Sequence, residues 1–251
     1  MADATPHPID GRPLLIVAHP GHELPLFHWM EVHKPTVFIM TDGSGGSTTS
    51  RLRYSEQCIQ TTAAIRGSVF GAQSDRGWYQ SILTADLAAF KAVIDKGVAA
   101  ARQTQAKLIV SDAVDGYNPV HDLCEAIATA IRIALQTDNP GIQHLVSPAV
   151  PCPAGPKAVE LHLDAAAQHR KQQAVAAYTP LAEEAQRLIK AGHTSLAEER
   201  LHHPIFTWPA DFSPAWEQFG RQRVDHSRYP QAIEYRRHVR PIAQALIHDQ
   251  Y

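Results

Sequence analysis

The 251-residue chain is short of cysteine, of long apolar runs and of net charge, and each shortage removes a class of explanation. Its three cysteines, Cys58, Cys124 and Cys152, form no C-x-x-C pair, which excludes a disulfide framework and a zinc knuckle and leads us to expect a reducing, cytoplasmic setting. No apolar stretch approaches the roughly 20 residues that cross a bilayer, so no membrane partner is expected. The opening MADATPHPIDGRP lacks the basic start and apolar centre of a signal peptide. A net charge of −2 leaves no basic footprint for nucleic acid. Internal repeats and low-complexity tracts are missing too. Histidine, by contrast, is abundant: there are 15, many of them (His193, His202, His203, His226, His238, His248) in the polar C-terminal part, where surface placement accounts for them. Position, not number, has to single out a site.

The first two thirds alternate strand and helix signals. LLIVA (14–18), TVFIMT (36–41) and KLIVSD (107–112) are short apolar runs of buried parallel strands, with a further short strand near Val69 and Phe70 and an alternating one over 158–164. Helical spacing is found over 24–33, 51–66, 84–103 (with Thr84 as N-cap), 121–135 and 165–190. Such alternation predicts an α/β fold, a mostly parallel sheet with helices on both faces and its ligand loops at the carboxyl edge. Residues 1–190 read as this domain. Residues 191–251, where prolines interleave with Trp208, Phe212, Trp216, Phe219 and Tyr229, read as an extension packed on it and ending in a helix near 231–248.

Two chemistries suit His19-Pro20-Gly21-His22 after the first strand. H-x-G-H is a signature of nucleotidylyltransferases, and Ser47-Thr48-Thr49-Ser50-Arg51 looks like their S-T-x-x-R. That signature normally begins with a glycine and an aromatic several residues earlier, and its S-T-x-x-R comes late in the fold. Alternatively, two imidazoles at i and i+3 across a strand-to-helix turn can converge on one metal ion. His121, in the loop DGYNPVHDL after the strand KLIVSD, would complete a three-histidine site with a position left open for water.

The order of these landmarks resembles the PIG-L/LmbE family of metal-dependent de-N-acetylases. Ala18-His19-Pro20-Gly21-His22-Glu23 stands where that family has A-H-P-D-D-E. Thr41-Asp42-Gly43 matches its T-x-G, Arg53-Tyr54-Ser55-Glu56 its R-x-x-E, and Asn118-Pro119-Val120-His121 its H-P-D-H. The run from Lys171 to Tyr178 matches the helix that closes its motif set. The likeness spans residues 14–180. It implies a Rossmann-like sheet, zinc or another divalent metal at its carboxyl edge, and hydrolysis of the N-acetyl group of an amino sugar or sugar conjugate.

The departures fall on the chemistry. The family's general-base aspartate is Gly21, and its second aspartate, a metal ligand, is His22. A base would then be Glu23, Asp42 or Asp115, and an aspartate restored at position 21 would raise the rate only if none of these had taken over. Tyr117 is a candidate oxyanion donor. Arg53, Asn118 and Ser44, the last in the glycine- and serine-rich stretch TDGSGGSTTSR, are candidate substrate contacts. An inactive metal- or sugar-binding relative is the alternative expectation.

Overall fold

The structure, a computed structural model, describes residues 11–45, 49–190, 195–227 and 230–248. Ser47 and Thr48 of the S-T-x-x-R look-alike, His193 and Tyr229 lie outside them. The protein is an α/β fold built on a seven-stranded, mostly parallel sheet. In chain order the strands are β1 (Leu14–Val17), β2 (Thr36–Thr41), β3 (Ile65–Gln73), β4 (Leu108–Asp112), β5 (Gln143–Ser147), β6 (Lys157–His162) and β7 (Glu198–His202). They lie in the order β3-β2-β1-β4-β5-β7-β6. The first five are parallel, and β7 runs antiparallel to both β5 and β6.

Helices α1 (Phe27–His33), α2 (Leu52–Thr61) and α6 (Ala165–Ala177) pack on one face, and α4 (Leu87–Thr104) and α5 (Pro119–Leu135) on the other. Side chains of β1 alternate between the two: Leu14 and Ile16 join the α4–α5 core, Leu15 and Val17 the α1–α2 core. Because both faces are covered, β1, β2 and β4 are apolar almost throughout, which is why they were legible as unbroken runs.

Chain order reverses between β1 and β4: from β1 the chain winds out to β3, then returns to β4 on the other side. This is a topological switch point, and the loops leaving neighbouring strands there part to form a crevice at the carboxyl edge. The Asp112 carboxylate, at the end of β4, accepts the Ala18 backbone N–H at 2.7 Å and ties the two strand ends together.

Several elements differ from the sequence reading. Residues 165–190 are two helices, α6 and α7 (Ala182–Lys190), broken before Pro180. Helix α3 (Asp75–Leu83) fills the gap before α4, whose N-cap is Asp86 rather than Thr84. Strands β5 and β7 were not anticipated, and β3 is longer than expected. Most consequentially, the stretch after residue 190 does not merely lie on the domain. It inserts β7 into the sheet, then sends Trp208, Trp216 of α8 (Ala215–Asp225), Tyr235 and Val239 of the helical turn before α9, and Ile242 and Leu246 of α9 (Arg240–His248) into the α4–α5 core. No helix among the described residues is long and apolar enough to cross a membrane.

Candidate functional site

The turn after β1 is built by its own backbone. The N–H groups of His22, Leu24 and Leu26 donate to the carbonyls of His19, Gly21 and Glu23, winding the chain into α1. Gly21 takes a φ of +110°, and a Cβ there would fall 2.2 Å from Leu181 Cδ1, so the position requires glycine. Glu23 is fully buried behind the turn and accepts the Gly21 N–H at 2.7 Å. Burial pushes its carboxyl pKa up, against the opposing pull of Ser55 and nearby backbone N–H groups. It shapes the turn and is not among the cleft-lining residues.

His121 arrives from the loop after β4, one turn into α5, where Asn118 caps the helix by accepting the Val120 N–H and Pro119 fills the first position. The three rings meet: ring centres lie 5.3 Å apart for His19 and His22, 5.0 Å for His19 and His121, and 4.4 Å for His22 and His121.

Each ring is anchored through Nδ1 to a different aspartate. His19 meets Asp75 at 2.9 Å, His22 meets Asp112 at 2.8 Å and His121 meets Asp115 at 2.8 Å. Thr41 Oγ1 also lies 2.8 Å from His19 Nδ1. The ionised Asp75 carboxylate can only accept, so His19 Nδ1 carries the proton and its Nε2 keeps its lone pair; the same follows at His22 and His121 when Asp112 and Asp115 are ionised and the rings neutral. The Nε2 of His19 is buried with no hydrogen-bond partner, and a buried polar atom without a partner calls for an explanation. A carboxylate behind a histidine is also how metal-bound imidazoles are oriented.

The titration behaviour is consistent with this picture. Burial drives the pKa values of His19 and His121 down, keeping both neutral at physiological pH. Burial acts on His22 in the same direction, but the charge and hydrogen bond of Asp112 outweigh it and raise its pKa. Asp75 and Asp112 resist burial through their histidine partners and stay below the usual carboxylate range. Asp115 is pushed up to about 7 by burial, with the nearby charge of Asp112 adding to the rise.

These residues suit a divalent cation. Imidazoles bound through one nitrogen at about 2.0–2.1 Å around a tetrahedral ion have ring centres on the order of 5 Å apart, close to the spacing of the three rings here. The carboxylates of Asp75 and Asp112 beside the histidine rings put negative charge next to them, which favours a cation there. Among the described residues, however, no group of three or more His, Cys, Asp or Glu donors has the geometry of a ready-made metal site. The rings have the separation; an ion would have to draw their Nε2 atoms together. The Nδ1 contact of His19 with Asp75 and its buried, unpartnered Nε2 leave that nitrogen as the one available to an ion.

The histidines open into a cleft of about 1290 Å³. Asp42, Ser44, Tyr117 and Asn118 line it, as the sequence reading expected, although Asp42 Oδ1 also accepts from the Ser44 hydroxyl and backbone N–H. Tyr117 is half exposed, its ring centre 6.2 Å from that of His121. Asp115 is turned away behind His121. Arg53 is not brought to the site: it is exposed, donates to the Tyr54 hydroxyl, and is absent from the lining, while Arg51 and Arg76 are present. Arg51 Nε donates to the Gly43 carbonyl at 2.7 Å. The sequence reading missed Asp75 and Asp112 as histidine partners. Asp122, in the first turn of α5, is buried and accepts the N–H groups of Asp115 and Gly116 and the Trp216 indole N–H.

No protein-family model matches the chain, and no curated protein matches it. A solved structure similar to it is the crystal structure of the conserved protein TT1542 from Thermus thermophilus, 16% identical, with a TM-score of 0.48, covering 82% of this chain and 100% of that one.

Proposed function

We propose that the chain is a metal-dependent amide hydrolase, using zinc or another divalent ion to remove an N-acyl group, acetyl in the simplest case, from an amino sugar or sugar conjugate. The observation that carries it is the convergence of His19, His22 and His121 at the switch point, each held by its own aspartate. The sugar amide comes from the resemblance to the PIG-L/LmbE family. A bound divalent ion would polarise an amide carbonyl and make a water more acidic.

The chain's own groups supply the rest. Asp75, Asp112 and Asp115 hold the rings in one tautomer and orientation. With Gly21 unable to take a proton, Glu23 enclosed and Asp115 behind His121, Asp42 is the proposed base that faces the cleft. Tyr117, exposed beside His121, is positioned to donate to a developing oxyanion. Free cysteines at 58, 124 and 152 suit a cytoplasmic setting.

The glycine at position 21, closed over by Leu181, favours a second reading in which metal and sugar are bound without turnover. The three aspartates around the histidines weigh against the nucleotidyl-transfer alternative, since they repel a phosphate. Amine release from a panel of N-acetylated sugars separates these readings. The hydrolase should lose activity to a chelator, regain it with zinc, and lose both metal and activity as His121→Ala. Turnover that survives chelation and the substitution would overturn the proposal, and zinc retention without turnover on any sugar would favour the binder.

A further inference from the structure

The cleft lining is of two kinds. Its polar groups include Asp42, Ser44, Arg51, Asp75 and Arg76. Its apolar groups are Val175 on α6, Leu181, Ile189 on α7, and Trp216, Phe219 and Ile233 from the C-terminal part. The apolar groups reach the histidines themselves. Leu181 Cδ1 lies where a Cβ of residue 21 would be, at 2.2 Å, so the acid of the related motif is replaced here by a glycine under a leucine methyl.

On the other side, Trp216 is pinned to the loop carrying His121. Its backbone N–H donates to the Gly116 carbonyl at 3.0 Å and its indole N–H to Asp122 at 2.7 Å. One helical turn on, Phe219 leaves 44% of its surface exposed, and Tyr117 leaves 52%, although most aromatics of this chain are buried or half-buried. The cleft also exceeds the range of about 300–1,000 Å³ usual for small-molecule sites. A free N-acetyl hexosamine would not fill a cleft of this size and would leave the exposed faces of Phe219 and Tyr117 uncovered. Exposed apolar surface beside a cleft marks a binding site.

We infer that the ligand of this cleft carries an apolar group, aryl or medium-length alkyl, that lies along Leu181, Trp216 and Phe219 while its amide faces the histidines. The placement of the amide rests on the hydrolase reading; the apolar subsite does not. The group belongs either to the N-acyl chain or to the aglycone of the sugar, and both present the same chemistry to the wall.

The test uses the full chain loaded with zinc. Octyl glucoside, which has no amide to cleave, should bind at least about tenfold more tightly than methyl glucoside by calorimetry, because only its alkyl chain can bury apolar surface. Phe219→Ser and Leu181→Ser should each reduce that ratio. Amine release from N-octanoylglucosamine and from the octyl glycoside of N-acetylglucosamine then identifies the source, the faster over free N-acetylglucosamine marking the acyl or the aglycone arm. Equal binding of the two glucosides would overturn the apolar subsite even if free N-acetylglucosamine is hydrolysed. Tight octyl glucoside binding with no amide cleaved would support the subsite while the hydrolase reading fails.

Discussion

Position 21 shows how one residue can decide what a motif does. A φ of +110° strains any side chain at this position and would also force the Leu181 methyl aside, so Gly21→Asp should not rebuild a working base. We expect it to cost on the order of 1–3 kcal/mol in chemical denaturation, with no gain in hydrolysis. Asp112 is the more sensitive neighbour, since one oxygen accepts both the Ala18 N–H and His22 Nδ1. Asp112→Asn should weaken zinc binding by about 10–100-fold in a competition titration with a chelator, as loss of a carboxylate behind a metal-bound imidazole generally does. The histidines were legible because they stand in ordered motifs beside strand ends. Asp75 and Asp112 were not. An aspartate that opens a helix or closes a strand has a local explanation already, and only the fold brings Asp112 to His22, 90 positions away. Arg53 and Arg51 differ by two positions, but Arg51 precedes α2 as its N-cap and reaches the Gly43 carbonyl, whereas Arg53 lies within the helix and donates to Tyr54.

Among the elements, those buried on both faces were readable from composition, whereas β5 and β7 were not. Strand β5 carries His144, whose imidazole is satisfied inside the core by Ser111 of β4 and Thr129 of α5, a pairing that a single sequence does not display. Burial takes the His144 pKa from 6.5 down to about 3. Between those values the unfolded chain holds a proton that the folded chain refuses, so the stability tied to a neutral His144 is lost as pH falls below about 6.5. Glu125 has the opposite sign: burial raises its pKa from 4.5 to about 7, and its contribution is lost as pH rises through that window. A difference measurement isolates the histidine. The stability advantage of the native chain over His144→Gln should shrink from pH 7.5 to pH 5 in urea titrations; a constant gap would contradict it.

Strand β7 carries a second buried polar group. Glu199 pairs with Lys171 at 2.9 Å, both side chains 1% exposed, and also accepts the backbone N–H groups of His28 and Trp29 at the start of α1. Lys171 donates as well to the Pro25 carbonyl, just beyond the histidine turn. Removing one partner strands the other charge in the core, so Glu199→Gln should destabilise the chain by about 3–5 kcal/mol.

For the molecule as a whole, the C-terminal part is structural. It supplies a strand to the sheet, a block of the α4–α5 core and the wall of the cleft beside His121. A chain ending at residue 190 should therefore fail to fold, seen as lost near-ultraviolet dichroism and rapid proteolysis, and the full chain should unfold in one transition. The α/β class and the parallel sheet edge followed from strand–helix alternation. The insertion of β7 between β5 and β6 did not, because antiparallel closure by a distant segment leaves no local periodic trace.

All of these expectations depend on three imidazoles sharing one ion at that edge. X-ray absorption at the zinc edge, on the full chain loaded with one equivalent, examines this most directly. The expected shell is three imidazole nitrogens and an oxygen, falling to two imidazoles in His121→Ala. A shell containing sulfur, or one unchanged by the substitution, would contradict it.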